Sequence, residues 1–190
     1  MRVRESGMPF EPDWDAFFDA EATVERIFGS KLVDGDVVDF GCGYGTFTIP
    51  AALWTRGTLT ALDIDPLMVE LVDEKAGQLG LKNVRGVVRD FVSDGTGLAD
   101  ASQMHAMIFN LLHIEDPLAL LAEVRRIVKP NGSASVIHWR SDVPTPRGPP
   151  QEIRPSPQQC RDWLQEAGFS TVTTIDVADA CPYHFALLAR

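Results

Sequence analysis

The run Val37-Val38-Asp39-Phe40-Gly41-Cys42-Gly43-Tyr44-Gly45-Thr46 limits what this chain can fold into more than any other stretch. An apolar segment ending in an acid passes directly into glycines at alternate positions and then into a helix-competent segment. That is the pattern of a strand, a tight turn and a helix N-terminus. Glycines there let the backbone bend sharply and approach a ligand, because a Cβ would occupy the ligand's space. The first N–H groups of the helix point into the same space. The stretch reads as a nucleotide-binding corner of an α/β fold, with a glycine turn kept for steric reasons alone as the plainer alternative.

The remaining sequence alternates as such a corner requires. A helix over 46–54 precedes a strand closing on Asp63, and Asp65-Pro66 opens a helix that runs to Leu79 and stops at Gly80. Asn83 to Phe91 and Met104 to Asn110 read as strands three and four, and Leu118 to Val128 as an amphipathic helix. Lys129-Pro130-Asn131-Gly132 then turns into strand five, ending at Trp139. A proline- and arginine-rich loop spans 140–157, a helix 158–167, and two closing strands flank a turn at Asp179 to Pro182. Upstream, Trp14, Phe17, Phe18, Val24, Ile27 and Phe28 lie at helical spacing over 12–28. At 190 residues the chain has room for one domain and no second substrate domain of ordinary size.

A dinucleotide fingerprint needs GxGxxG, but here Thr46 stands where the last glycine would fall, leaving Gly41, Gly43 and Gly45 as GxGxG. With Asp39 before it, this resembles motif I of the class I S-adenosylmethionine (SAM) dependent methyltransferases, in their small type 11/25-like form. The helix–KPNG–strand segment is similar to that family's (L/V)KPGG signature, with Asn131 for the first glycine, a residue that tolerates left-handed angles. The resemblance covers Lys31 to Arg190. It implies a three-layer Rossmann-like α/β sandwich with a mostly parallel seven-stranded sheet and a C-terminal antiparallel hairpin, residues 31–190 forming the domain and 1–30 a helical segment that could cover the site. It also implies SAM as cofactor, held by Asp39, Gly41, Gly43 and Gly45, by Asp63 and Ile64 at the ribose, by Asp90 and Phe91 at the adenine edge, and by Asn110. Asp65 is assigned to helix capping.

Strand ends four and five then face the methyl acceptor. His113 and His138 are candidate bases, since imidazole titrates near neutrality, whereas His105 should lie at the opposite edge. Trp14, Trp139, Arg140, Arg147, Tyr183 and His184 are candidate substrate contacts, and Phe10, Trp14 and Phe17 or Phe18 could form an aromatic lid. Arg140, Arg147 and Arg154 in one loop point to an anionic group on a small-molecule acceptor, with a solvated loop as the alternative.

A net charge of −10 argues against nucleic acid or an anionic membrane as partner, and no stretch of eighteen uncharged apolar residues occurs. With no leader pattern, the expected location is cytoplasmic. Cys42, Cys160 and Cys181 lack metal spacing and read as buried thiols, so no metal is expected. Two other readings stay open: an NAD(P)-dependent oxidoreductase, which shares the glycine corner and Asp63, and a non-catalytic SAM-binding regulatory module.

Overall fold

The computed structural model describes residues 17–190. Phe10, Trp14 and the first part of the expected N-terminal helix lie outside them. The elements are α1 (Ala20–Phe28), β1 (Val37–Phe40), α2 (Thr48–Leu53), β2 (Leu59–Asp63), α3 (Pro66–Gln78), β3 (Val84–Val88), α4 (Phe91–Asp94), β4 (Gln103–Phe109), α5 (Pro117–Ile127), β5 (Val128–Trp139), α6 (Pro157–Glu166), β6 (Val172–Ile175) and β7 (His184–Ala189). The strands form one sheet in the order β3-β2-β1-β4-β5-β7-β6. Pairing is parallel from β3 through β5, and β7 runs antiparallel to both β5 and β6. This is the expected α/β sandwich with its closing hairpin.

Strand residues alternate between two cores because successive side chains leave a strand on opposite faces. Val38, Phe40, Ala106, Ile108, Ala134 and Val136 pack with Leu120, Leu121 and Val124 of α5 and Leu164 of α6. Val37, Met107, Phe109 and Ile137 pack with Val24 and Ile27 of α1, Ala51 of α2 and Val72 of α3. Strand order reverses between β1 and β4, whose registers align Phe40 with Ile108, so the crevice of the sheet opens just past Phe40 and Phe109.

Several boundaries differ from the sequence expectation. α1 begins only at Ala20, because the Asp19 carboxylate accepts from the Ala22 N–H at 3.0 Å and fixes the cap, leaving Phe17 and Phe18 outside the helix. The KPNG segment is not a left-handed turn: β5 runs through it from Val128, and the non-glycine residues at positive φ among those described are Ser30, Ala101 and Asn110. A Cβ on Gly132 would sit 2.8 Å from the Met104 carbonyl oxygen, so glycine there serves close strand approach. The short helix α4 was not foreseen, nor was the capping box of α6, in which Ser156 and Gln159 satisfy each other's backbone N–H.

Candidate functional site

Gly41, Gly43 and Gly45 all take positive φ, 68°, 50° and 77°, which side chains resist. Space is tight as well: a Cβ would lie 3.1 Å from the Leu111 side chain at Gly41 and 3.0 Å from the Val72 side chain at Gly45. The turn is pinned from β2. The buried Asp63 carboxylate accepts from the Gly43 N–H at 2.9 Å and the Asp65 N–H at 3.0 Å. Burial raises its pKa, and these backbone donors pull the other way. A carboxylate has lone pairs beyond those two bonds, so it can still accept from a ligand's hydroxyls. Ile64, half-buried, follows it. Asp65 caps α3 through the Leu67 N–H at 2.9 Å, as its Asp-Pro sequence predicts.

Asp39 does not stand at the crevice surface. It is buried within β1 and accepts from the Thr48 hydroxyl at 2.6 Å, tying β1 to α2. Loss of solvation, with a smaller contribution from the Asp63 charge, pushes its pKa up to about 7 against the Thr48 bond. Asp90 caps α4 through the Ser93 N–H at 3.1 Å, and the Phe91 ring is buried edge-on to Phe40 at 5.2 Å. Both therefore have structural work at the position the resemblance gives to adenine. Asn110 follows β4 at φ 58°, its N–H bonded to the Ile137 carbonyl at 2.7 Å. Its side-chain oxygen is buried with no hydrogen-bond partner among the described residues. Such an orphaned acceptor costs about 1–3 kcal/mol unless a ligand or water supplies a donor.

At the tips of β4 and β5 the structure brings His113 and His138 together, Nδ1 to Nε2 at 3.2 Å. His138 is fully buried, and its Nδ1 lies 3.1 Å from the Trp139 carbonyl oxygen. Burial lowers the His138 pKa to about 3, with the charge of Arg154 and the His113 ring adding to it; burial and then Arg154 lower that of His113. His105 lies at the other end of β4, bonded to the Ser133 and Ser135 hydroxyls, where its sequence position puts it.

On the opposite sheet face, Trp139 packs against His184 at 4.1 Å between ring centres and against Phe17 at 5.6 Å. Phe17 also meets Tyr183, and Phe18 bridges His184 at 4.8 Å and Phe47 at 5.0 Å. The aromatic segment before α1 thus joins the glycine-corner side to the ends of β5 and β7. Trp139 itself is only 1% exposed, with Gly148 over its ring, so it anchors the loop and has almost no surface to offer a substrate.

The arginine loop is organised differently from the expectation of an anion site. Arg154 lies 5.7 Å over the Trp139 ring and donates to the carbonyls of Pro149, Arg140 and Arg147 and to the Thr145 hydroxyl. Arg140 is paired twice with Asp142, at 3.0 and 2.7 Å. Arg147 contributes its carbonyl to the Arg154 hub. Sequence reasoning missed that hub, although a run of prolines, which lack N–H donors, leaves carbonyls that a guanidinium can gather. The histidine pair was also missed as a pair, since only strand register reveals it.

Residues 37–132 match the family described as Methyltransferase domain. Among curated proteins, the chain is 28% identical over 133 residues to the aklanonic acid methyltransferase DauC of Streptomyces sp. (strain C5), covering 62% of this chain and 60% of that one. It is 29% identical over 154 residues to the O-methyltransferase cnsE of Penicillium expansum, covering 75% and 55%. The chain thus spans little more than half the length of these relatives. A solved SAM-dependent methyltransferase from Aquifex aeolicus superposes with a TM-score of 0.75 at 26% identity, over 95% of this chain and 98% of that one.

Proposed function

This chain belongs to the methyltransferase domain family, and we propose that it transfers a methyl group from SAM to a small-molecule acceptor. The observation that carries this is the group of acceptors and open backbone at one crevice: the glycine turn at positive φ, the Asp63 carboxylate behind it, and the orphaned Asn110 oxygen at the neighbouring strand end. These residues fit SAM. Asp63 would accept from the ribose hydroxyls, Asn110 from a donor of the amino-acid end, and Gly41, Gly43 and Gly45 would allow close approach. Asp90 and Phe91 keep their proposed place at the adenine edge, with Ile64 beside the ribose.

When bound, SAM would supply a sulfonium methyl group open to in-line displacement. The protein's share is alignment and exclusion of water. Phe17 and Phe18, resting on Trp139, Tyr183, His184 and Phe47, support a covering role for the N-terminal segment. Tyr183 is the proposed acceptor contact at that edge, while His184, its ring nitrogens buried against Trp139 and Phe18, supports the aromatic cluster. Incubation with methyl-labelled SAM and a panel of hydroxyl, amine, thiol and carboxylate acceptors tests the reading. A labelled product is the expected result, whereas tight SAM binding without product across the panel would favour a regulatory module.

A further inference from the structure

The hydrogen bonds around His138 can be arranged in one way when both rings are neutral. The Trp139 carbonyl oxygen can only accept, so His138 Nδ1 carries the proton. His138 Nε2 is then a lone pair, and His113 Nδ1 must donate to it. His113 Nε2 is left as a bare acceptor. It has no hydrogen-bond partner among the described residues, and it does not share the sealed burial of both His184 ring nitrogens. The pair is therefore directional, with its basic end on His113, in the loop whose Leu111 lies against Gly41 of the glycine corner.

Resting on the methyltransferase reading, we propose that His113 takes the proton from the methyl acceptor, that His138 positions it, and that the acceptor is an acidic hydroxyl on an unsaturated carbon, a phenol or enol. Carboxylic acids ionise near pH 4 and thiols at about 8.5, so they attack with little help, whereas a phenol at about 10 gains from a positioned base. An aliphatic alcohol is a still weaker acid, so imidazole takes its proton with less driving force than it does a phenol's. A protonated amine would meet the charge of Arg154, which is felt at His113, His138 and His184.

In the step, a hydroxyl lone pair forms the O–CH3 bond as the C–S bond breaks, and the C–S electron pair stays on sulfur. The hydroxyl proton moves to His113 Nε2. The positive charge lost at the sulfonium reappears on the His113 imidazolium, whose Nδ1–H still donates to His138.

Ring 15N–1H spectra of the full chain labelled at histidine, recorded without cofactor, test the arrangement directly. Both His113 and His138 should be protonated on Nδ1. In His138→Gln the amide can accept from His113 and donate to Trp139, so the His113 tautomer should persist, and in His138→Phe it should not. His113 protonated on Nε2 in the wild-type chain would overturn the proposal with no variant needed. In turnover with phenols, His113→Gln should lower kcat by about 10²-fold or more while calorimetry shows SAM binding unchanged. Undiminished kcat, or wild-type methylation of carboxylates or thiols in preference to phenols, would overturn the base and its substrate class. Absence of SAM binding in the wild type would instead bring down the methyltransferase reading beneath it, leaving the tautomer result to stand alone.

Discussion

Gly132 stands where β5 runs closest to β4, and a Cβ there would lie 2.8 Å from both the Met104 carbonyl oxygen and Val128 Cγ1. Backbone cannot yield as a flexible side chain can, so Gly132→Ala should destabilise the fold by about 1–3 kcal/mol, read as a lower urea midpoint. Asp39 predicts an effect of the other sign. Its pKa is raised from the usual carboxylate range to about 7, so the folded state binds its proton more tightly than the unfolded chain does. Its contribution is most favourable below about pH 4 and is lost as pH rises toward 7. Asp39→Asn should therefore raise the melting temperature at pH 8, by an amount equivalent to at most about 4 kcal/mol, and the gain should shrink toward pH 4. Asp63 and Asp65 were separable in sequence, because the Asp-Pro pair marks a cap and a strand-terminal acid does not. The second role of Asp90 was not separable, since the single turn of α4 is too short to show periodicity.

At the scale of elements, the loop from Arg140 to Ser156 depends on one inward-facing guanidinium. Arg154→Met keeps the stem over Trp139 but removes the donors to Pro149, Arg140, Thr145 and Arg147. Limited proteolysis should then cut within residues 141–150 several times faster than in the wild type, while far-UV circular dichroism stays unchanged. Equal cleavage would show that the loop is held by its prolines and by Gly148 against Trp139. Strand and helix identity was legible because burial enforces periods of two and of 3.6. The start of α1 was not, as Phe17 and Phe18 continue the apolar spacing while serving an aromatic contact outside the helix. The KPNG segment misled for a related reason: proline, asparagine and glycine signal a turn, but here glycine answers to the neighbouring strand.

The whole molecule combines these groups into a pH response. His105, His138 and His184 are each held at about 3 by burial, so the folded state favours their neutral forms. Stability from them is complete above about pH 6.5 and falls as pH drops toward 3. Between pH 7 and 5 each loses about 2 kcal/mol, about 6 in all, against about 2 regained from Asp39 over the same range. Melting temperature should fall on acidification from pH 7 to 5, and a rise would mean that the carboxylates dominate. The glycine turn was readable from spacing, as its positive φ answers to backbone geometry, while the cofactor roles of Asp63, Asp90 and Asn110 rest on the family resemblance. The acceptor half depends on which side chains meet across β4, β5 and β7, which no local pattern records. Calorimetric titration of the purified chain with SAM and with NADH, beside Asp63→Ala, tests the central claim most directly. Loss of charged hydrogen bonds worth about 1.5–3 kcal/mol should weaken saturable SAM binding roughly ten- to a hundredfold in the variant, with no NADH heat. NADH binding in the absence of any SAM binding would contradict the account.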